Sequence, residues 1–210
     1  MAFNLNKMFQ SPGLLQGKIV RLEPLIRAHF DGLIAAGKDA RIWEQLPLPG
    51  PYPEGLHREL SNAILMKTSG QQFPFTVFEQ STNRIVGSTR LFELMPEHKK
   101  LEIGWTWYAP AVWHTGVNLE CKLLLLTHCF EVFQTQRVQL KTRLTNARSA
   151  AAIRKIGAAY EGTLRKDRVM PDGTPRDTVL FSIIDDEWPA VKKQLQQLLQ
   201  PFLPAETAHN

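Results

Sequence analysis

Apolar positions recur with two different periods along the chain, and the switches between them mark out its elements. Lys18 to Leu25 (KIVRLEPL) alternates apolar and polar residues, which predicts a strand closed by Pro24. Ile26, Phe30, Leu33 and Ile34 share one helical face within Ile26 to Ala36, and Arg58 to Thr68 predicts a second helix that stops near Gly70. Between them Arg41 to His57, RIWEQLPLPGPYPEGLH, carries the punctuation of a long loop, and such loops on compact domains often cover sites. Pro74 to Glu79 and Arg84 to Phe92 flank the turn QSTN and predict a hairpin. Lys100 to Tyr108 alternates so that Leu101, Ile103, Trp105 and Trp107 face one way, with Glu102, Gly104, Thr106 and Tyr108 opposite.

The strongest helical signal follows. Leu119, Leu123, Leu126, Phe130 and Phe133 lie on one face, widened by Leu125, Cys129 and Val132. Arg137 to Thr142 is the next strand, and strand, helix, strand in this order implies a parallel pair joined by a crossover. Asn146 to Ile156 is alanine-rich and helical, with Gly157 as its stop. Ala159 to Arg168 and Arg176 to Ile184 are strands on either side of the Asp-Gly turn MPDG. Trp188, Val191, Leu195 and Leu198 form one stripe of a docking helix over Glu187 to Gln200, after which PFLPAETAHN reads as a frayed tail.

Composition narrows the class. A hydrophobic share of 43% allows a sizeable core in one domain of 210 residues. No stretch approaches the roughly 20 apolar residues of a membrane span, and MAFNLNKMFQSPG lacks the pattern of a secretory signal, so a cytoplasmic protein is expected. Cys121 and Cys129 share a helix at a separation of about 12 Å, too far for a disulfide. The six histidines have no zinc-site spacing, so no metal is expected. The net charge of +5 is uneven. Arg137, Lys141, Arg143, Arg148, Arg154, Lys155, Arg165, Lys166 and Arg168 crowd a segment whose acids are Glu161 and Asp167. Such a patch suits a nucleotide-like cofactor, nucleic acid or plain solvent. The chain has no zinc-finger, RNP or recognition-helix pattern, which counts against nucleic acid.

The turn into the long helix is where chemistry is expected. WHTGVN brings Thr115, Gly116, Val117 and Asn118 to a helix N-terminus, where unpaired N–H groups and the dipole favour a phosphate. Gly116, lacking a side chain, would let a ligand approach the backbone closely; an ordinary strand–turn–helix with a glycine is the plain alternative.

Four stretches resemble one family. They are EIGW-WY-P--W--G at Glu102 to Gly116, RVQLKT---N--S at Arg137 to Ser149, KIGA-YEGTLR at Lys155 to Arg165, and RDTVLFSI----WP at Arg176 to Pro189. Together they resemble the GNAT superfamily of acyl-CoA-dependent N-acyltransferases, and more narrowly the branch of ribosomal-protein N-terminal acetyltransferases. The resemblance implies an α/β (α+β) fold with a mixed, mostly antiparallel sheet, a splayed parallel strand pair, and helices on both faces. It spans a single domain, 17–200, between an N-terminal extension, 1–16, and a tail, 201–210.

It also implies transfer of an acetyl group from acetyl-CoA to a primary amine, a small molecule or a protein N-terminus, in a ternary complex. Acetyl-CoA and that acceptor are the partners, a homodimer is a further option, and neither metal nor membrane is involved. Backbone around Trp105, Thr106 and Trp107 would hold the pantetheine and Thr115 to Asn118 the pyrophosphate. Asn146 would contact the cofactor arm or cap its helix. Ser149 is the candidate acid, with a small first-turn residue as the alternative. Glu102 is the candidate base, with a structural carboxylate as the alternative. Trp43, Tyr52 and Trp107 would line the acceptor side. Trp113 and Asn118 depart from the loop's usual Gln/Arg-x-x-Gly-x-Gly/Ala, Ala158 stands for a phenylalanine, and Ile153 is near the place of a tyrosine used as the acid in many relatives. A catalytically silent acyl-CoA-binding domain and a nucleic-acid-binding protein are the alternatives from other classes.

Overall fold

β-branched and aromatic runs pair in sequence order except at the last strand, which inserts beside the sixth. The computed structural model describes residues 9–46, 48–170 and 173–204. Among these the sheet has eight strands: β1 (Leu15–Gln16), β2 (Val20–Pro24), β3 (Phe73–Glu79), β4 (Arg84–Met95), β5 (Lys100–Tyr108), β6 (Arg137–Arg143), β7 (Ala159–Val169) and β8 (Pro175–Ile184). Their order is β1-β2-β3-β4-β5-β6-β8-β7, and β5–β6 is the one parallel pair among the described residues. The helices are α1 (Phe30–Ala36), α2 (Glu54–Thr68), α3 (Val117–Thr127), α4 (Ala147–Lys155) and α5 (Trp188–Leu199). The sheet thus begins at Leu15, two residues inside the segment read as an extension, while residues 1–8 and 205–210 lie outside the described residues. Pro171 and Asp172 of the MPDG turn do so as well.

Apart from β7, which stays largely exposed, the sheet is covered on both faces, each by its own cluster. On one face Val20, Phe75, Leu101, Ile103, Val138, Leu140 and Phe181 pack under α3, α4 and α5. On the other, Leu25, Phe30, Leu33, Leu56, Leu60 and Trp107 pack with α1 and α2.

Several local expectations change for identifiable reasons. α2 starts at Glu54, four residues earlier than the pattern suggests, because Pro53 can precede a first turn whose N–H groups need no intrahelical partner. α1 starts at Phe30 after a 3-10 turn, Arg27–His29, which leaves Ile26 exposed instead of on the apolar face. The long helix ends as a π turn over His128–Val132, closed by Phe133 N–H to the His128 carbonyl at 3.0 Å. The wider turn rotates Val132 off the apolar face and leaves it 63% exposed.

The expected faces of β5 are also overturned. Gly104 opposes Arg90 but Trp107 opposes Ser88, so β5 spends one residue more than β4 across that interval. Trp105 absorbs it with φ +50°, a left-handed conformation that a bulge accommodates. After the bulge the sides exchange. Trp107 leaves the face of Leu101 and Ile103 for the α1–α2 side, and Tyr108 joins the α3 side.

α3 is anchored by an acid in its first turn. Glu120 is buried, and its carboxylate accepts the N–H groups of Lys18 (2.8 Å), Ile19 (2.7 Å) and Val20 (2.6 Å). A Cβ on Gly17 would meet that carboxylate, so a larger residue there would have to displace it from its three donors. Three charge-assisted bonds are what make burying this acid tolerable. Glu120→Ala is expected to lower the unfolding free energy by about 3 kcal/mol, because it removes the acceptor and leaves partly buried donors unpaired. Urea unfolding checks this, and a loss under about 1 kcal/mol would show that the carboxylate does not hold the turn.

Candidate functional site

β5 and β6 pair over three positions only, Lys100↔Arg137, Leu101↔Val138 and Glu102↔Gln139. Both strands then continue, β5 to Tyr108 and β6 to Arg143, without further pairing to each other. The result is a wedge that opens towards the N-termini of α3 and α4, with Glu102 at its apex.

Glu102 is 4% exposed. Lys141 Nζ lies 2.7 Å from its Oε2, and Gln139 Nε2 lies 3.4 Å from the same oxygen. The same two donors reach Glu93 Oε2, each at 2.9 Å. Two carboxylates thus share one ammonium and one amide. Burial pushes the Glu102 carboxyl up to about 7, and the Lys141 ammonium only partly offsets that. The sequence points to Glu102 but not to its partners. Gln139 and Lys141 follow from alternation on β6, whereas Glu93 lies beyond the expected end of β4 at Phe92.

On β5 past the apex, Trp105 projects beside Arg90, whose guanidinium sits 4.8 Å from the ring centroid and pairs with Glu59 at 2.8 Å. Thr106 faces α3. Its Oγ1 lies 2.8 Å from Thr89 Oγ1 and accepts from Lys122 Nζ at 3.0 Å. Lys122 is 6% exposed, and burial brings its ammonium down to about 8. The Cys121 and Cys129 thiols are buried and free, and burial raises both, Cys121 to about 12, so they stay protonated at neutral pH.

The turn into α3 is tied down by side chains. Trp113 Nε1 donates to the Tyr108 carbonyl at 2.8 Å, and its ring is flanked by the guanidinium groups of Arg148 (4.3 Å) and Arg41 (5.4 Å). Thr115 Oγ1 donates to the Val112 carbonyl at 2.7 Å and accepts from Val117 N–H at 3.3 Å. The first i→i−4 bond of the helix is Glu120 N–H to the Gly116 carbonyl at 2.9 Å, so the Asn118 and Leu119 amides precede the helical ladder. Gly116 and Val117 are buried and Asn118 is half-buried. The reading of Gly116 as room for a ligand needs correction. A Cβ there would lie 2.6 Å from Ile19 Cδ1 and 2.7 Å from Phe202 Cβ, so the missing side chain is used for packing. Its φ of −69° makes no demand for glycine.

Asn146 caps α4, its Oδ1 accepting Ser149 N–H at 3.0 Å, and Ser149 is half-buried in the first turn. Trp43, Tyr52 and Trp107 belong to one apolar cluster, with the Trp43 and Trp107 ring centroids 5.1 Å apart. Tyr52 donates its hydroxyl to the Ile34 carbonyl, and Trp43 Nε1 donates to the Gly37 carbonyl at 2.7 Å. Trp43 and Tyr52 line a cavity of about 320 Å³ with Lys38, Ala40, Leu48 and Gly50. The structure therefore brings Trp43, Tyr52 and Trp107 together. Trp105 and Thr106 flank the wedge, and the α3 turn stands at its wide end.

The donor set suits an extended amide-bearing chain ending in phosphates: an unpaired strand edge, then helix N-terminal amides. Among the described residues no group of three or more His, Cys, Asp or Glu is arranged to hold a metal, and no helix is long and apolar enough to cross a membrane.

A family model described as an acetyltransferase (GNAT) domain matches residues 20–159. YdaF of Bacillus subtilis (strain 168), provisionally described as a ribosomal N-acetyltransferase, is 30% identical over 108 residues. That match covers 51% of this chain and spans 58% of the length of that curated relative. A GCN5-related N-acetyltransferase from Brucella melitensis superimposes with a TM-score of 0.83 at 28% identity, over 91% of this chain and 88% of that one. A structure from T. thermophilus, described as a candidate acetyltransferase, gives a TM-score of 0.81 at 35% identity, over 91% of this chain and 99% of that one.

The packing at the α3 turn can be tested directly. Gly116→Ala is expected to destabilise the fold by about 1–3 kcal/mol through overpacking. In a double-mutant cycle Phe202→Ala should recover part of that loss. Thermal melting of the four proteins checks it, and full additivity would rule out the contact.

Proposed function

The chain belongs to the acetyltransferase (GNAT) domain family, and we propose that it transfers an acetyl group from acetyl-CoA to a primary amine at a protein N-terminus. The likeness to YdaF supports a ribosomal-protein acetyltransferase branch. The observation that carries the reading is the wedge between β5 and β6 with a buried carboxylate titrating near neutrality at its apex. A base is most useful when its pKa lies near the working pH, and Glu102 meets that condition through burial.

In this reading the β5 edge beyond Glu102 binds the pantetheine arm, and the amides at the start of α3 bind the pyrophosphate. Acetyl-CoA supplies the thioester that the amine attacks. Glu102 accepts the proton that the amine loses as the N–C bond forms. As the C–S bond breaks, the Ser149 hydroxyl donates a hydrogen bond to the departing sulfur. The Asn146 cap supports that assignment, because it fixes the turn on which the hydroxyl stands. Positioning in the wedge supplies most of the acceleration. A panel of amines with acetyl-CoA and a free-thiol readout tests the reading: donor binding without turnover would instead favour an acyl-CoA-binding regulator.

Two outcomes test the assigned groups. Glu102 acts as a carboxylate, so kcat/KM for the acceptor should rise with pH through about 7. Glu102→Gln should remove that limb, keep the limb set by the amine itself, and lower kcat by about 100-fold. An unchanged pH profile in the variant would remove Glu102 from the reaction. Linkage gives the same group a stability signature. With its folded pKa above the ordinary 4.5, its contribution is present below that value and is lost as pH rises through about 7. For Ser149→Ala, kcat should fall about 10- to 100-fold with CoA affinity unchanged, since sulfur spreads the charge being stabilised. If the variant keeps more than about half of the wild-type kcat, the hydroxyl has no such role.

A further inference from the structure

Beside the wedge, at the far end of β6, two half-buried guanidinium groups form no ion pair among the described residues. Arg143 and Arg176 line a cavity of about 330 Å³ with Met170 and Asp177. Nε of each is buried and makes no hydrogen bond. The partners of both are neutral: Arg143 donates to the Glu44 carbonyl at 3.5 Å and meets Met170 Sδ at 3.3 Å, and Arg176 donates to Thr178 Oγ1 at 3.3 Å. Among the described residues the acids nearby are engaged elsewhere. Asp177 Oδ1 accepts the Lys166 N–H at 2.8 Å, Asp167 lies 3.7 Å from Arg168, and Glu93 sits between Lys141 and Arg168. Burial presses the Arg176 guanidinium below its ordinary value, the neighbouring Arg143 and Arg168 add to that, and Asp167 and Glu102 offset only part of it. Like charges held together in a half-buried cavity are costly unless an anion completes them.

The cavity adjoins the reaction centre. Gln139, Lys141 and Arg143 alternate on one face of β6, so Arg143 stands one two-residue step, about 7 Å, beyond the lysine that touches Glu102. Its contact with the Glu44 carbonyl joins it to the same loop that carries Trp43 on the acceptor side. An extended peptide advances about 3.4 Å per residue, so with its amine at Glu102 it brings its second or third side chain to Arg143. A free amino acid is too short to span that distance.

We propose that Arg143 and Arg176 form an acidic-side-chain subsite, so that the preferred acceptor is a peptide N-terminus with Asp or Glu at its second or third residue. This rests on the acetyl-transfer reading above and adds the chemistry that selects the acceptor. A guanidinium pair closes on a carboxylate with directed, charge-assisted bonds, which an amide of the same shape does not match.

The test uses the full chain and C-terminally amidated tetrapeptides: Ala-Glu-Ala-Ala and Ala-Ala-Glu-Ala, against the same peptides with Gln for Glu. Calorimetry reads binding, and thiol release from acetyl-CoA reads turnover. At least one acidic peptide should be favoured over its amide counterpart by about 10- to 100-fold. Arg143→Gln and Arg176→Gln should each bring that ratio to within about 3-fold of one, with CoA affinity unchanged. Arg176→Glu should reverse the preference towards a Lys-containing peptide. Equal binding of Glu and Gln peptides by the wild type overturns the proposal without any variant. A preference that survives both Gln variants overturns it too, as does a fall in CoA affinity in them, which would give the arginines to the donor. If the acidic peptides bind preferentially but no peptide is acetylated, the subsite stands and the acetyl-transfer reading falls.

Discussion

The carboxylate of Glu120, closed on three successive amides of the chain that leads into β2, decides where α3 begins. Everything at the wide end of the wedge depends on that position. The Thr115 turn, the packing of Gly116 against Ile19 and Phe202, and the helix N-terminal amides are all referred to the same short stretch. A carboxylate buried in this way is worth its desolvation only when its acceptor capacity is used, and here three donors use it. The cluster under α3 is largely apolar, with Lys122 donating to Thr106, which in turn meets Thr89.

Two departures from regular β structure shape the site. The short β5–β6 ladder opens an edge inside the sheet, and the bulge at Trp105 exchanges the faces of β5 just beyond that opening. Without the extra residue, Trp107 would lie under α3 and the Trp43–Trp107 contact could not form. The bulge thus links the donor side of the wedge to the acceptor wall. Electrostatics divide along the same line. Glu102 and Glu93 share Lys141 and Gln139 at the closed end, while positive charge accumulates at the C-terminal end of β6.

Much of the fold was legible because period and punctuation agree. The hairpin around QSTN, the strand–helix–strand crossover, and the alanine-rich helix ended by Gly157 each follow from local chemistry. What was not legible is where geometry depends on distant partners. The faces of β5 were misread because a bulge leaves no mark in an alternating run. Val132 was misread because a π turn keeps the helical composition while changing the angle. At Gly116 the property that matters for packing was not legible: its neighbours in space come from residues 19 and 202, which no local pattern connects. At the site, alternation could find Glu102 and Lys141, but their shared contacts with Glu93 need the register of three strands.

The Glu120 clasp also bears on how the chain is made. The residues it joins are separated by 100 to 102 positions, and synthesis proceeds from the other end of that interval. While β2, β3 and β4 emerge and pair, the turn at Lys18 to Val20 has no carboxylate to receive its amides. The nascent sheet must wait for the first turn of α3 before the turn between β1 and β2 is clasped. Such a non-local closure raises the contact order of the domain, and assembly can become cooperative only late in translation. A folding intermediate arrested before that point would leave the turn between β1 and β2, at the end of the sheet where other chains can pair, without the acceptor that holds it.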